Sequence, residues 1–164
     1  MKPSILAVTI ALATASAPAA IANTSHKGWP KFDTKPWINK SDADATHHGG
    51  PKNDELLGGH GDDTIYGESG RDVLWGDYKP SGQGTGQRDT LDSGPGNDFI
   101  YAGHGFNDIQ GGTGADIVHS HFGRGKIDCG PGHDILFISH KARRGYKVSN
   151  CEKISYRPAA KGKV

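Results

Sequence analysis

Seven aspartates recur along the middle of the chain at a spacing that could hold divalent cations. Successive members lie nine or eighteen residues apart, except for one step of seventeen, and glycines surround them. They are Asp54, Asp63, Asp72, Asp89, Asp98, Asp116 and Asp134. Calcium takes about six to eight oxygen ligands from carboxylates and backbone carbonyls. We therefore predict that these carboxylates bind Ca²⁺.

Glycines in the segments before these aspartates supply a second set of predicted ligands. Glycine adopts positive φ at little steric cost, so a glycine-rich turn can present its carbonyl oxygens to one side. The glycines that we assign to the metal sites are Gly59, Gly61, Gly70, Gly94, Gly96, Gly112, Gly114, Gly130 and Gly132. Together with the aspartates they predict several ions held between loops.

A nine-residue repeat positions these residues and keeps its phase through most of the chain. Residues 58–66 match the pattern G-G-x-G-x-D-x-U-x at every specified position, where U is a large aliphatic residue. Repeats begin at residues 49, 58, 67, 76, 93, 102, 111, 120 and 129. Position 8 is aliphatic in all of them: Leu56, Ile65, Leu74, Leu91, Ile100, Ile109, Val118, Ile127 and Leu136. Because alternate strand residues point to opposite faces, we predict that position 8 points inward from a short strand.

The order of the position-6 residues predicts an asymmetric molecule. If two repeats make one turn of a coil, the loops of odd-numbered and even-numbered repeats lie on opposite edges, here named the odd edge and the even edge. The odd edge carries an unbroken aspartate column, made of Asp54, Asp72, Asp98, Asp116 and Asp134. The even edge carries Asp63, Asp89, Asn107 and Gly125. We predict about four ions on the odd edge and one candidate site on the even edge, between Asp63 and Asp89.

The repeats resemble those of the RTX, or hemolysin-type, calcium-binding family over residues 49–137. The resemblance implies an all-β, right-handed parallel β-roll of nine nonapeptides, which is about four and a half turns. It also implies that position-6 aspartates and loop carbonyls of neighbouring turns hold each ion. The eighth repeat has His121 at position 2 and Gly125 at position 6, so we expect it to keep its strand without binding an ion.

The flanking segments predict an exported protein. Residues 1–22 have a charged start, an apolar stretch and the sequence Ala20-Ile21-Ala22, which is typical of a cleaved secretory signal peptide. We predict an extracellular location, with association to the cell envelope as one form of it, and no transmembrane segment after signal removal. Residues 23–48 are expected to form a flexible leader or N-terminal cap, and residues 138–164 a C-terminal cap with a basic tail.

The two cysteines, Cys129 and Cys151, agree with export, because an exported chain with two cysteines most simply forms one disulfide. We expect the bond to fasten a final strand or hairpin over the open end of the coil. Free thiols with a redox role are the alternative, although no C-x-x-C spacing supports them.

The charges are unevenly distributed. Residues 49–137 contain 14 acidic and six basic side chains, whereas residues 138–164 contain one acidic and eight basic ones. Without calcium the acidic segment should repel itself, so we predict that ion binding is coupled to folding. The basic tail is interpreted as solvated, with an anionic polymer as its alternative partner.

Residue patterns for catalysis are missing from the sequence, and we predict that the protein is not an enzyme. It contains no H-E-x-x-H, G-x-S-x-G or P-loop motif. Nine histidines leave transition-metal binding as an alternative to variable positions on exposed turns. An inserted segment, residues 77–88, is either a tolerated insertion or a binding loop.

The leading hypothesis is therefore a secreted, monomeric calcium-binding protein with a structural or surface-associated role and no nucleic-acid partner. The alternative is a module that binds an extracellular polysaccharide, cell-wall polymer or matrix polymer through Trp29, Trp37, the inserted segment or the tail. A secreted hydrolase or toxin-like factor is a more remote alternative.

Overall fold

The computed structural model of the protein describes residues 28–77 and 84–156. Within those residues it contains fifteen short strands and one helical turn. The elements are β1 (Trp37–Ile38), β2 (Thr46–Gly50), β3 (Glu55–Leu57), β4 (Thr64–Glu68), β5 (Val73–Trp75), β6 (Arg88–Asp92), β7 (Pro95–Gly96), β8 (Phe99–Tyr101), β9 (Phe106–Gln110), β10 (Thr113–Gly114), β11 (Ile117–Ser120), β12 (Arg124–Asp128), β13 (Ile135–Ile138), α1 (His140–Arg143), β14 (Tyr146–Ser149) and β15 (Lys153–Tyr156). The predicted signal peptide, residues 1–22, lies outside the described residues.

Thirteen of these strands form two parallel sheets, between which the chain passes alternately, and β7 and β10 pair as a small third sheet. The first sheet has the order β1-β3-β5-β8-β11-β13-β15, and the second has the order β14-β12-β9-β6-β4-β2. Leu56 pairs with Leu74, eighteen positions later, and Leu74 pairs with Ile100 across the inserted segment. The all-β parallel solenoid with two nonapeptides per turn is thus confirmed.

The core is a narrow column of aliphatic side chains between the sheets. All nine position-8 residues are buried, and seven of the eight from Ile65 to Leu136 are isoleucine or leucine, with Val118 as the exception. Glycine-rich turns flank the strands of the repeats and keep them short, so each such strand turns mainly its position-8 residue to the core. Strand β13 adds Ile138, two positions after Leu136. This column aligns the loops of successive turns above one another.

The solenoid has about 6 turns, which is longer than the four and a half predicted. Both flanking segments continue the sheets. On the N-terminal side, β1 pairs with β3 and β2 pairs with β4, so that His47 stands beside Ile65. On the C-terminal side, β14 extends the second sheet and β15 extends the first. The aliphatic pattern did not reveal the N-terminal turn, because histidine occupies its inward position.

The predicted disulfide joins Cys129 and Cys151, whose Cα atoms are 5.1 Å apart. It links the start of the ninth repeat to the connection between β14 and β15, which are parallel additions to the two sheets and not a hairpin. Ser139 caps the short α1 by accepting a hydrogen bond from the Ala142 amide. In the described part of the chain, no helix has the length and apolarity needed to span a membrane.

Candidate metal centre

The aspartate column runs up the odd edge as a continuous hydrogen-bonded ladder. One carboxylate oxygen of each aspartate after Asp54 accepts a hydrogen bond from the backbone N–H of the aspartate one turn earlier. The Asp54 amide donates to Asp72 Oδ1 at 2.8 Å, and the Asp98 amide donates to Asp116 Oδ1 at 2.9 Å. The same bond joins Asp72 to Asp98 and Asp116 to Asp134. One oxygen of each carboxylate is therefore fixed by the fold.

The second oxygen of these carboxylates has no hydrogen-bond partner, although it is buried. This holds for Oδ2 of Asp72, Asp98, Asp116 and Asp134. These side chains are at most 1% exposed. A buried carboxylate oxygen without a partner costs free energy, because it has lost water and gained nothing in exchange. A cation bound beside these oxygens would supply the partner that they lack.

Position-1 glycines of the loops approach these oxygens closely. A Cβ added to Gly67 would lie 2.8 Å from Asp72 Oδ2, and one added to Gly111 would lie 2.9 Å from Asp116 Oδ2. Only glycine fits at these position-1 sites, because a Cβ would collide with Oδ2 and with the carbonyl oxygen of Ser93 or Cys129 in the neighbouring turn. At Asp98 the position-1 residue is Ser93, whose hydroxyl donates to the Gly111 carbonyl at 2.6 Å and lies close enough to the Asp98 carboxylate to lower its pKa.

Carbonyl oxygens line the same edge because successive loops stack in contact. Strands β7 and β10 pair with each other, and single bridges join Gly70 to Gly96 and Gly114 to Gly132. A Cβ on Gly112 would lie only 2.0 Å from the Gly94 carbonyl oxygen, and one on Gly114 only 1.5 Å from that of Gly96. Both glycines also have positive φ, +83° and +143°. Glycine is required there for conformation and for close approach alike.

Burial makes the column costly to ionise. It raises the pKa of Asp72, Asp98 and Asp116 to about 7, and backbone hydrogen bonds only partly oppose it. Neighbouring carboxylates add to the effect, since Asp116 and Asp72 both raise the pKa of Asp98. A bound dication would reverse this balance, because it favours the charged form of each ligand.

The even edge differs, since protein groups satisfy most of its polar atoms. Asp63 Oδ1 accepts hydrogen bonds from the Asn39 side chain and the Ala45 amide, both at 3.0 Å, and its Oδ2 accepts one from the Gly59 amide at 2.8 Å. Gly125 stands at position 6 of the eighth repeat, which retains its strand β12 as predicted.

Asn107, at position 6 of the sixth repeat on the even edge, forms hydrogen bonds to its own loop through its side-chain amide. Its Nδ2 donates to the carbonyls of Gly103 and His104, and to the Tyr146 hydroxyl, at 2.9–3.3 Å. Its Oδ1 accepts a hydrogen bond from the Gly103 amide. The Asn107 side chain thus donates to the loop carbonyls itself. The position-6 carboxylate is absent from a loop in which a side-chain donor bonds these carbonyls.

The predicted site residues therefore fall into two groups. The odd-edge aspartates and glycines form one column, whereas Asp63, Asp89, Gly59 and Gly61 lie on the opposite edge. The predicted pair Asp63 and Asp89 is linked, because the Asp63 amide donates to Asp89 Oδ1 at 3.2 Å. No group of three or more His, Cys, Asp or Glu side chains suited to a metal occurs among residues 28–77 and 84–156. Calcium sites on the odd edge would combine carboxylates of adjacent turns with loop carbonyls.

Sequence reasoning missed one carboxylate of the column. Glu152 lies eighteen residues after Asp134 and accepts a hydrogen bond from its backbone amide at 2.7 Å. The eighteen-residue step was the signal that could have found it. Asn39, which is bonded to Asp63, follows no repeat position that the sequence pattern defines.

A parallel β-solenoid with stacked glycine loops and a buried carboxylate column is the architecture of a calcium-binding repeat protein. Comparison with family models agrees. Residues 48–77, 83–118 and 92–127 match the RTX calcium-binding nonapeptide repeat. The repeats of this chain therefore belong to the RTX calcium-binding family, as the sequence predicted. No curated protein and no solved structure is significantly similar to the chain.

Proposed function

We propose that the protein is a secreted calcium-binding protein in which several ions occupy the odd edge and are required for folding. One observation carries the proposal: four successive buried aspartates each keep one carboxylate oxygen without a partner. The oxygens lie beside loop carbonyls, a hard donor set that suits Ca²⁺. Ions between neighbouring members of the aspartate column would make about four sites.

The coupling to folding follows from the electrostatics. Without a cation, the column contains buried carboxylates that raise one another's pKa. Binding energy that offsets this cost appears as folding free energy, since the unfolded chain has no preformed site. Extracellular calcium modules work with dissociation constants of roughly 10⁻⁴ to 10⁻³ M. We therefore propose that the chain folds outside the cell and serves there as a structural or surface-associated module.

The contacts of the aromatic residues favour this role over polymer binding through their rings. Trp75 and Tyr101 stack face to face with centroids 4.1 Å apart, and His119 continues the stack at 4.7 Å from Tyr101. Trp29 packs its edge on Trp75 and donates a hydrogen bond to the Tyr101 hydroxyl. Trp37 stacks on His47 at 4.2 Å. Sugar rings bind to open aromatic faces, and here the rings cover one another.

A calcium titration of the mature, oxidised protein tests the proposal. Residues 23–164 are stripped with EGTA and titrated with Ca²⁺ or Mg²⁺ while far-UV circular dichroism and calorimetry are recorded. We expect a cooperative transition from coil to β structure at sub-millimolar to millimolar calcium and none with magnesium. A stripped protein that is already fully β and takes up no calcium would refute the calcium function while leaving the fold intact.

A further inference from the structure

One carboxylate on the even edge resembles those of the odd edge and lacks the protein donors of its neighbours. Asp89 is 0% exposed, and its Oδ2 has no hydrogen-bond partner. Its two neighbours along the edge are satisfied, Asp63 by Asn39, Ala45 and Gly59, and Asn107 by its own loop. Asp89 is therefore the position-6 carboxylate of the even edge whose buried Oδ2 still lacks a partner, and a cation could supply one.

A second buried carboxylate lies close to Asp89 and has no counterpart in the repeat pattern. Asp77 occupies position 2 of the fourth repeat, where the pattern has glycine, and it is 7% exposed. Its Oδ2 accepts a hydrogen bond from the His104 amide at 2.6 Å. Asp77 and Asp89 interact, because Asp77 is the carboxylate that most raises the pKa of Asp89 after burial.

The inserted segment also supplies a neutral oxygen. Gln87 Nε2 donates to Asp77 Oδ1 at 3.3 Å and to the Gly61 carbonyl at 3.2 Å. Its Oε1 is buried and has no partner. Thus Asp77 at the start of the inserted segment contacts Gln87 near its end, and Asp89 follows directly after it.

Two glycines, Gly76 and Gly103, approach the carboxylates of Asp89 and Asp77 closely. A Cβ on Gly76 would lie 2.9 Å from Asp89 Oδ2 and 3.4 Å from Asn107 Oδ1. A Cβ on Gly103 would lie 2.0 Å from Asp77 Oδ2. Oxygens of Asp89, Asn107 and Asp77 therefore lie beside this pair of glycines, and Gln87, which is bonded to Asp77, adds an unpartnered oxygen to the same cluster. Such a donor set is suited to a hard cation and unsuited to a soft one.

We propose that Asp77 and Asp89, together with the Gln87 side-chain oxygen, hold one Ca²⁺ at the base of the inserted segment, separate from the odd-edge column. The proposal rests on the proposed function only for the identity of the ion. The site would tie the start of the inserted segment to its end, so that calcium also anchors this insertion to the solenoid.

Counting bound ions in matched variants tests this site. Equilibrium dialysis with ⁴⁵Ca and calorimetry are carried out on the wild type, Asp77→Asn, Asp89→Asn and the control Asp92→Asn. Asp92 is the last residue of β6, three residues after Asp89, and its substitution removes the same charge. We expect Asp77→Asn and Asp89→Asn each to bind one ion fewer than the wild type and Asp92→Asn to bind the full number.

The outcomes separate this proposal from the proposed function. A wild type that binds no calcium refutes both. A wild type that binds several ions, with the same number and affinity in Asp77→Asn, refutes only the site at the inserted segment. Far-UV circular dichroism in calcium checks that each variant folds. The two substitutions are independent, so the count from either folded variant decides the question.

Discussion

Substituting asparagine for Asp98 should have opposite effects with and without calcium. Asp98 is at the centre of the aspartate column, with Asp72 one turn before it and Asp116 one turn after it. Asparagine keeps the Oδ1 acceptor for the Asp72 amide and replaces the unpartnered Oδ2 with a donor. Asn107 shows that an amide at this position can bond its own loop carbonyls.

In EGTA at pH 8 the Asp98→Asn variant should contain more β structure than the wild type. Burial raises the pKa of Asp98 to about 7, so the wild type must keep an ionised carboxylate beside two others. The variant has no charge at this position and relieves the repulsion on Asp72 and Asp116. Its folded state should therefore be the more stable of the two when no cation is present.

In calcium the order should reverse. About four ions are proposed on the odd edge, and Asp98 would contribute to two of them, one on each side of it. At a free concentration of 100 times the dissociation constant, each ion adds about 2.7 kcal/mol. Loss of two ions then costs roughly 5 kcal/mol, which for a domain of this size lowers the melting temperature by about 15–20 °C. Far-UV circular dichroism spectra in EGTA and thermal melts in calcium, with Asp92→Asn as the control, measure the two effects.

A lower β content of Asp98→Asn in EGTA, together with a lower melting temperature in calcium, would refute this prediction. That result would mean that the carboxylate has a structural role which no cation modifies. An unchanged melting temperature in calcium would be equally damaging, because it would place the ions elsewhere.

Three further predictions concern pH, loop stacking and the disulfide. The odd-edge aspartates with raised pKa favour the calcium-free fold at acid pH, and this stabilisation is lost as the pH rises from about 4 through 7. Far-UV circular dichroism in EGTA should thus show more β structure at pH 5 than at pH 8. In calcium the melting temperature should instead be higher at pH 8 than at pH 5. Calorimetry in PIPES and Tris should detect proton release on calcium binding at pH 7. Gly114→Ala places a Cβ 1.5 Å from the Gly96 carbonyl oxygen at φ +143°. This variant should therefore bind fewer ions in ⁴⁵Ca dialysis and have a lower melting temperature in calcium. The control Gly86→Ala, whose Cβ would have nothing within 4 Å, should match the wild type. Replacing both Cys129 and Cys151 by serine opens a loop with a sequence separation of 22 residues. Urea unfolding in calcium should then show that the free energy of unfolding falls by about 3 kcal/mol. A fall below about 1 kcal/mol would mean that the parallel pairing of β15 holds this end without the disulfide.

The periodic parts of the structure were predictable from the sequence because each rests on a repeated physical requirement. Glycines at Gly112 and Gly114 are demanded by positive φ and close loop stacking, and an aliphatic residue such as Ile100 is demanded by a narrow core. These demands recur every nine or eighteen residues, so the pattern identified the two sheets, the two edges and the aspartate column.

Residues that act once in the structure left no such pattern. Asn39 satisfies Asp63 from a segment without repeats, and Trp29 packs on the outer face of the first sheet, not over its end. Asp77 was treated as the start of an insertion, and its contact with Gln87 depends on how the chain returns to the sheet. Single contacts of this kind follow from the folded geometry and carry no period that a sequence pattern could show.

The contrast between Asn107 and Asp98 bears on why the odd edge keeps its carboxylates. Both residues occupy position 6 of a repeat, and both are at most 1% exposed. At Asn107 the loop is closed by an amide, with every polar atom bonded and no charge to bury. The same solution could have been used along the odd edge, where it would give a solenoid that folds without ions. Four carboxylates with unpartnered oxygens stand there instead, and under the proposed function they would make the fold conditional on a cation. Such a chain would stay unfolded where calcium is scarce and fold where it is plentiful, which is the behaviour that a protein folding after export would use.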